Sequence, residues 1–224
     1  MEKLKNNIKK YKTDVVYKTE ITLYLSFSAN LLYAGLNGFL VFVNRSFWFA
    51  LLAGYYVILS VMRFLLIKYI RKNPMGEHYR DELIRSRICA VILTLVDITL
   101  PCVVLMMIYR NKGYEYKGVL IYAMAVYTFY ATVHSLINVI KCRKMQSPVM
   151  LMAMLINLSA AFVSMLSLQT AMLTRFGGER TVDYKNTMIA LTGTGVSLAV
   201  FFMAVWMIVF TTKELKRGQS QNNK

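Results

Sequence analysis

Long runs of apolar residues are the feature that most constrains how this chain can fold. The 224 residues are 57% hydrophobic, and the apolar residues fall into blocks instead of the polar–apolar periods of a soluble surface. A helix needs about 20 such residues to cross the hydrocarbon core of a bilayer. Six runs reach that length and predict spans at 21–43, 47–69, 88–109, 118–140, 148–173 and 186–211.

Basic residues are concentrated in alternate connecting segments, which predicts the orientation of the spans. Of the 27 lysines and arginines, 19 lie in residues 1–20, 68–87, 141–147 and 212–224. Seven lie in the other connections, and Arg63 lies within a span. Because cytoplasmic loops carry the excess of Lys and Arg, both termini are expected in the cytoplasm.

The same distribution explains the net charge of +16. In a soluble protein this charge would indicate nucleic acid, but here it is divided among four segments beside the membrane, so no nucleic-acid partner is expected. The basic segments 1–20 and 212–224 are expected at anionic lipid headgroups or in solvent, flanking a six-helix domain over residues 21–211. The apolar run at 21–43 is too long, and its basic flank too extended, for a cleaved secretory signal.

Short connections between the six spans predict an all-α integral membrane protein with its helices arranged as three hairpins. Asn73-Pro74 is a turn signal, and Asp81 and Arg85 have the i, i+4 spacing of a helix. The third helix is therefore expected to continue into the cytoplasm.

Small and polar residues form stripes along several spans, and such stripes mark helix–helix contacts in membranes. Two of them are Tyr127, Tyr130, Ala131, His134 and Asn138 in the fourth span and Ala153, Asn157, Ala160, Ala161 and Ser164 in the fifth. The stretch "LTGTGVS" (191–197) is expected to be a point of close packing in the sixth span.

Polar residues at similar depth in five spans form the candidate site. At 1.5 Å of rise per residue, Asp97, Asn30 and Asn157 lie about 14 Å from the cytoplasmic ends of their spans, and Arg63 and His134 about 9 Å. Intramembrane ionisable groups usually face the bundle interior and are functional. The candidate intramembrane polar site is Asp97, Pro101, Arg63, His134, Asn30 and Asn157.

Three interpretations of Asp97 are open. It forms an ion pair with Arg63; it is a neutral acid that donates a hydrogen bond to Asn30 or Asn157; or it binds a cation or carries protons on a transport pathway. Arg63 has the alternative of extending to the cytoplasmic headgroups. His134 is either a packing residue or part of a proton relay.

Pro101 stands four residues after Asp97, a spacing with a direct structural consequence. Proline has no N–H, so the helical hydrogen bond to the Asp97 carbonyl cannot form, and a kink is expected. A carboxylate and a freed carbonyl oxygen are groups that bind hard cations. Alternatively, Thr94, Thr99, another helix or a water satisfies the carbonyl.

No catalytic, nucleotide-binding or metal-binding motif appears in the sequence, and neither an enzyme nor a cofactor is expected. The three cysteines, Cys89, Cys102 and Cys142, lack metal-ligand spacing. Two functions remain open: a transporter or channel for a small solute, ion or proton, and a non-transporting membrane module such as a subunit, assembly factor or sensor. Assembly with a second copy or with a partner membrane subunit is compatible with both.

Three stretches carry a resemblance to a known group of proteins: "NKGYEYKGVLIYAMAVYTFY" (111–130), "SPVM" (147–150) and "SMLSLQTAMLTRFG" (164–177). Over its second to sixth spans the chain resembles an uncharacterised family of multi-span membrane proteins from clostridial-type bacteria. The resemblance implies a location in a bacterial cytoplasmic membrane and no particular function.

Overall fold

The structure is a computed structural model, and it describes residues 24, 28, 31, 35, 47–72, 79–110, 120–143, 147–176 and 182–222. The elements in the longer ranges are α1 Phe47–Lys72, α2 Tyr79–Asp97, α3 Thr99–Arg110, α4 Leu120–Arg143, α5 Pro148–Phe176 and α6 Val182–Asn222. All of these are α-helices, which confirms the all-α part of the predicted fold class for the described residues.

Four stretches of these helices are long and apolar enough to cross a membrane: Ala50–Lys72, Tyr79–Met106, Pro148–Phe176 and Asp183–Gly218. They correspond to the second, third, fifth and sixth predicted spans, as expected for a multi-pass membrane protein. The fourth predicted span coincides with α4, a 24-residue helix that is not among these four. The first lies outside the described residues except for Tyr24, Ser28, Leu31 and Gly35, which are helical.

Helix α5 lies at the centre of the described bundle and contacts α1, α2, α4 and α6. In its most apolar stretch 83% of the residues are buried, against 50% for α1 and 22% for α6. Apolarity alone does not explain this position, because lipid accommodates an apolar helix equally well; the small residues Ala153, Ala160 and Ala161 let neighbouring helices approach α5 closely. The predicted small-residue stripe of the fifth span is buried, and so is nearly every other face of the helix.

The hydroxyl groups of α5 hydrogen-bond to its own backbone. Ser159, Ser164, Ser167 and Thr170 each donate to the carbonyl four residues earlier, at 2.9–3.0 Å. Such bonds satisfy the hydroxyl without a partner on another helix. A serine-rich helix can therefore occupy the core at little cost.

Helix α4 packs on α5 through a face that differs from the predicted one. Its buried positions repeat every seven residues: Ile121, Thr128, Ser135 and Cys142. Tyr127 and Tyr130, which were predicted to face the interior, are exposed. Both faces carry polar groups, and the face with the smaller side chains turns inward because it lets the two backbones approach.

The third predicted span is two helices, α2 and α3, with a turn at Ile98 between them. The turn lies between Asp97 and Pro101, where the missing N–H of proline predicts an interruption. Helix α2 begins at Tyr79, nine residues before the predicted span, so the expected extension is confirmed. Arg85, however, lies over the ring of Tyr69, 4.5 Å from the ring centre, and makes no ion pair with Asp81 among the described residues.

One end of the bundle, called the basic end below, contains the basic ends of four helices. It contains the last turns of α1 (Arg71, Lys72) and α4 (Lys141, Arg143), the first turns of α2, and the part of α6 after Trp206. Side-chain contacts hold these ends together. Ser147, before α5, donates to Glu82 of α2 at 2.8 Å, and the Arg143 guanidinium lies 5.3 Å from the Trp206 ring centre.

Helices α3 and α6 make their closest approach at Gly193, within the stretch predicted to be closely packed. A Cβ at Gly193 would overlap Val104 Cγ2 and lie 2.9 Å from Val104 Cγ1. Only a residue without a side chain fits there, because valine is short and its rotamer is restricted. The approach of the two backbones also holds α6 against the helix break beside Asp97.

Gly193→Ala is expected to destabilise the protein by about 1–3 kcal/mol, the usual cost of overpacking a core. Gly195→Ala is the matched control, since no atom lies within 4 Å of a Cβ at Gly195. Thermal unfolding in detergent measures both, and Val104→Ala should rescue Gly193→Ala. Equal melting temperatures for the two glycine variants would contradict the close approach.

Candidate functional site

Asp97 is a buried carboxylate at the end of α2, with a relative exposure of 2%. Its Oδ2 accepts a hydrogen bond from Ser197 Oγ of α6, a long one at 3.3 Å. Its Oδ1 is buried and accepts no hydrogen bond from the described residues. An ionised carboxylate that is buried with so few partners is strongly destabilised, so Asp97 needs a proton or a cation to balance its charge.

The backbone beside Asp97 lacks its regular hydrogen bond as well. Pro101 has no N–H to donate to the Asp97 carbonyl. The two nearby hydroxyls are used elsewhere: Thr94 donates to the Ala90 carbonyl at 2.9 Å and Thr99 to the Val96 carbonyl at 2.7 Å. Neither threonine therefore replaces the missing donor.

Tyr55 lies on α1, the helix that packs against both α2 and α3 on either side of Asp97. Its hydroxyl is buried and makes no hydrogen bond with the described residues. The neighbouring Tyr56 donates to Ser164 Oγ at 2.9 Å, because the Ser164 proton is given to the Ala160 carbonyl. That bond anchors α1 to α5 next to Tyr55.

The predicted ion pair between Asp97 and Arg63 is absent. Arg63 is fully buried, but among the described residues Asp97 has no basic group within salt-bridge distance. Arg63 follows Tyr55 by eight residues, which is about 12 Å of rise and about 80° of rotation around α1.

The depths counted from the span ends placed Asp97 and Arg63 too close together, because they ignore how α1 and α2 are shifted along each other. Arg85 contacts Tyr69, which aligns α2 with α1 at the basic end. From that level Asp97 is about 18 Å away along α2, whereas Arg63 is only about 9 Å away along α1. The true difference in level is thus about twice the predicted one.

Asn157 and Arg63 lie at the same height along the bundle as each other, and at a different height from Asp97. Each lies seven residues, about two helical turns, from a member of the Tyr56–Ser164 pair and on the same helix face. Asn157 Nδ2 contacts Met154 Sδ at 3.6 Å, and its Oδ1 is buried without a hydrogen-bond partner.

His134 lies on α4, which in the described part of the chain contacts α5 but neither α2 nor α3. Its ring stacks on Tyr130, with ring centres 5.6 Å apart, and Nδ1 lies 3.0 Å from Asn138 Nδ2. Its position favours the packing interpretation over a relay to Asp97. Pro101 is exposed, and Asn30 lies outside the described residues.

Among the described members of the predicted set, only Pro101 lies beside Asp97, and the structure adds Ser197 of α6 and Tyr55 of α1 to the site. Ser197 is the last residue of the stretch "LTGTGVS" in the sixth span. That stretch predicted close packing, but it did not predict a hydrogen bond to Asp97. Tyr55 carries no signal of its own, because a tyrosine in an apolar run is common at helix contacts.

Glu82 is a second buried carboxylate that the sequence did not single out, with a relative exposure of 3%. It accepts the Ser147 hydroxyl at 2.8 Å, directly before the first turn of α5. A negative charge at a helix N-terminus is stabilised by the exposed N–H groups and the helix dipole. Glu82 therefore joins α2 to the start of the central helix.

No family model, curated protein or solved structure matches this chain.

Ser147→Ala is expected to lower the unfolding free energy by about 1–3 kcal/mol, because it removes a donor from buried Glu82. Ser86→Ala is the matched comparison: the Ser86 hydroxyl is also buried on the basic side of the bundle but has no hydrogen-bond partner. Its loss should be neutral or stabilising. Chemical unfolding of both variants checks the contrast, and equal losses of stability would contradict it.

Proposed function

We propose that this chain is a multi-pass protein of a bacterial cytoplasmic membrane that moves a proton, ion or small solute through the polar site around Asp97. One observation carries the proposal: the Asp97 carboxylate is buried beside a helix break, with one oxygen lacking any partner. Its folded environment favours uptake of a positive charge. Broken helices at buried polar groups are a recurrent way to build transport sites.

The distribution of charge supports six spans with both termini in the cytoplasm. The basic end contains clusters of Lys and Arg at the ends of α1 and α4, whereas the opposite end has isolated basic residues such as Arg175 and Lys185. Excess basic residues face the cytoplasm and attract anionic lipid headgroups. Helix α6, at 41 residues, is about 60 Å long and extends well beyond the hydrocarbon core at this end.

The competing function is a non-transporting module, acting as a subunit, assembly factor or sensor, alone or with a second copy. The dense burial of α5 and its internally bonded hydroxyls favour such a static bundle. The two functions differ in what Asp97 does, and one substitution separates them.

In proteoliposomes, Asp97→Asn should reduce proton- or cation-driven flux to the level of empty vesicles, because the amide cannot exchange a charge. Internal pH and sodium dyes report the flux after a gradient is imposed. Asp183→Asn, at the exposed start of α6, is the matched control and should transport like the wild type.

The stability of Asp97→Asn provides the opposing test. The variant should melt at the wild-type temperature or above, because it removes a poorly paired buried charge. Undiminished flux in Asp97→Asn would sink the transport proposal. A marked loss of stability in Asp97→Asn would instead support the non-transporting module, in which Asp97 has a structural role.

The orientation is tested with peptide tags in whole cells. Tags at either terminus should react with antibody only after the membrane is opened, and a tag placed between α5 and α6 should react in intact cells. Labelling of a terminal tag in intact cells would contradict the orientation.

A further inference from the structure

We infer that Asp97, Tyr55 and Ser197 form a binding site for a monovalent alkali cation, with Na⁺ as the reference ion. This inference rests on the proposed function and names the class of ion that the site takes. It assigns Tyr55 and Ser197 as oxygen ligands alongside the carboxylate.

Two buried oxygen atoms beside the helix break make no hydrogen bond with the described residues. They are Asp97 Oδ1 and the Tyr55 hydroxyl oxygen, and α1, which carries Tyr55, packs against both α2 and α3 on either side of the break. Buried polar atoms are nearly always satisfied, so two such oxygens beside one helix break suit a ligand that several oxygens bind at once. The Ser197 hydroxyl, on Asp97 Oδ2, places a third oxygen beside them.

The number of these oxygens favours a metal ion over a proton. A proton binds one oxygen and satisfies at most one further acceptor, whereas a hard cation contacts several oxygens at once. The Asp97 carbonyl, which lacks its helical donor because of Pro101, is a fourth oxygen in the same residue.

The charge of the site favours a monovalent ion. Asp97 supplies one negative charge, and the other ligands are neutral. Among the described residues, no group of three His, Cys, Asp or Glu side chains comes together. Divalent cations are usually held by several carboxylates, so a divalent ion would keep an uncompensated charge in the interior.

Sodium binding to the purified full-length protein tests the inference, with radioactive ²²Na⁺ as the probe in sodium-free buffer balanced by choline. The wild type should bind Na⁺ saturably. Tyr55→Phe should weaken binding about tenfold or more, since it removes a buried ligand to a charge, and Asp97→Asn should abolish it. Tyr69→Phe is the matched control because it removes another buried hydroxyl of α1 that makes no hydrogen bond with the described residues, about 21 Å along the helix from Tyr55, and it should bind like the wild type.

Melting temperature and size-exclusion profile in choline buffer establish that each variant is folded. Equal sodium affinity in Tyr55→Phe and Tyr69→Phe would overturn the assignment of Tyr55. A wild type that binds no Na⁺, K⁺ or Li⁺ but still loses proton flux in Asp97→Asn would overturn the cation site and leave the proposed function standing. Saturable sodium binding with undiminished flux in Asp97→Asn would instead overturn the proposed function.

Discussion

Packing around α5 is the interaction on which the other contacts of the described bundle depend. Helices α1, α2, α4 and α6 all bury side chains against it. Lipid offers no hydrogen bonds, so polar groups within a membrane bundle must be satisfied by the protein or by water inside it. The hydroxyls of α5 meet this requirement by bonding to their own backbone. Ser164 also accepts a hydrogen bond from Tyr56, which positions α1, and Ser147, directly before α5, donates one to Glu82, which positions α2.

Asp97 is an exception to this pattern of satisfied polar groups. It is placed by three features acting together: the turn at Ile98, the close approach of Gly193 to Val104, and the anchoring of Tyr55 beside the Tyr56–Ser164 bond. These hold a carboxylate oxygen and a tyrosine hydroxyl in the interior without partners. Native proteins retain such groups where they have a function more often than where they do not.

Much of the fold could be predicted because it follows from local chemistry. The lengths of the apolar runs, the extension of α2 from Tyr79 and the interruption near Pro101 depend on residues close in sequence. The composition of the site could be predicted only in part. Asp97 is conspicuous in any apolar run, but Tyr55 and Ser197 become partners only when α1 and α6 are placed at a particular height and rotation.

The sequence by itself determined which segments are helical, where a charge interrupts them and where a proline removes a hydrogen bond, because these properties arise within a few residues. The tertiary structure alone decided which polar groups meet. The predicted Asp97–Arg63 pair failed since depth counted from span ends ignores register and rotation, and eight residues of α1 separate Tyr55 from Arg63 by about 12 Å and about 80°. His134 also lies away from Asp97. Helix α4 packs on α5 through the face with the smaller side chains, and His134 is not on that face.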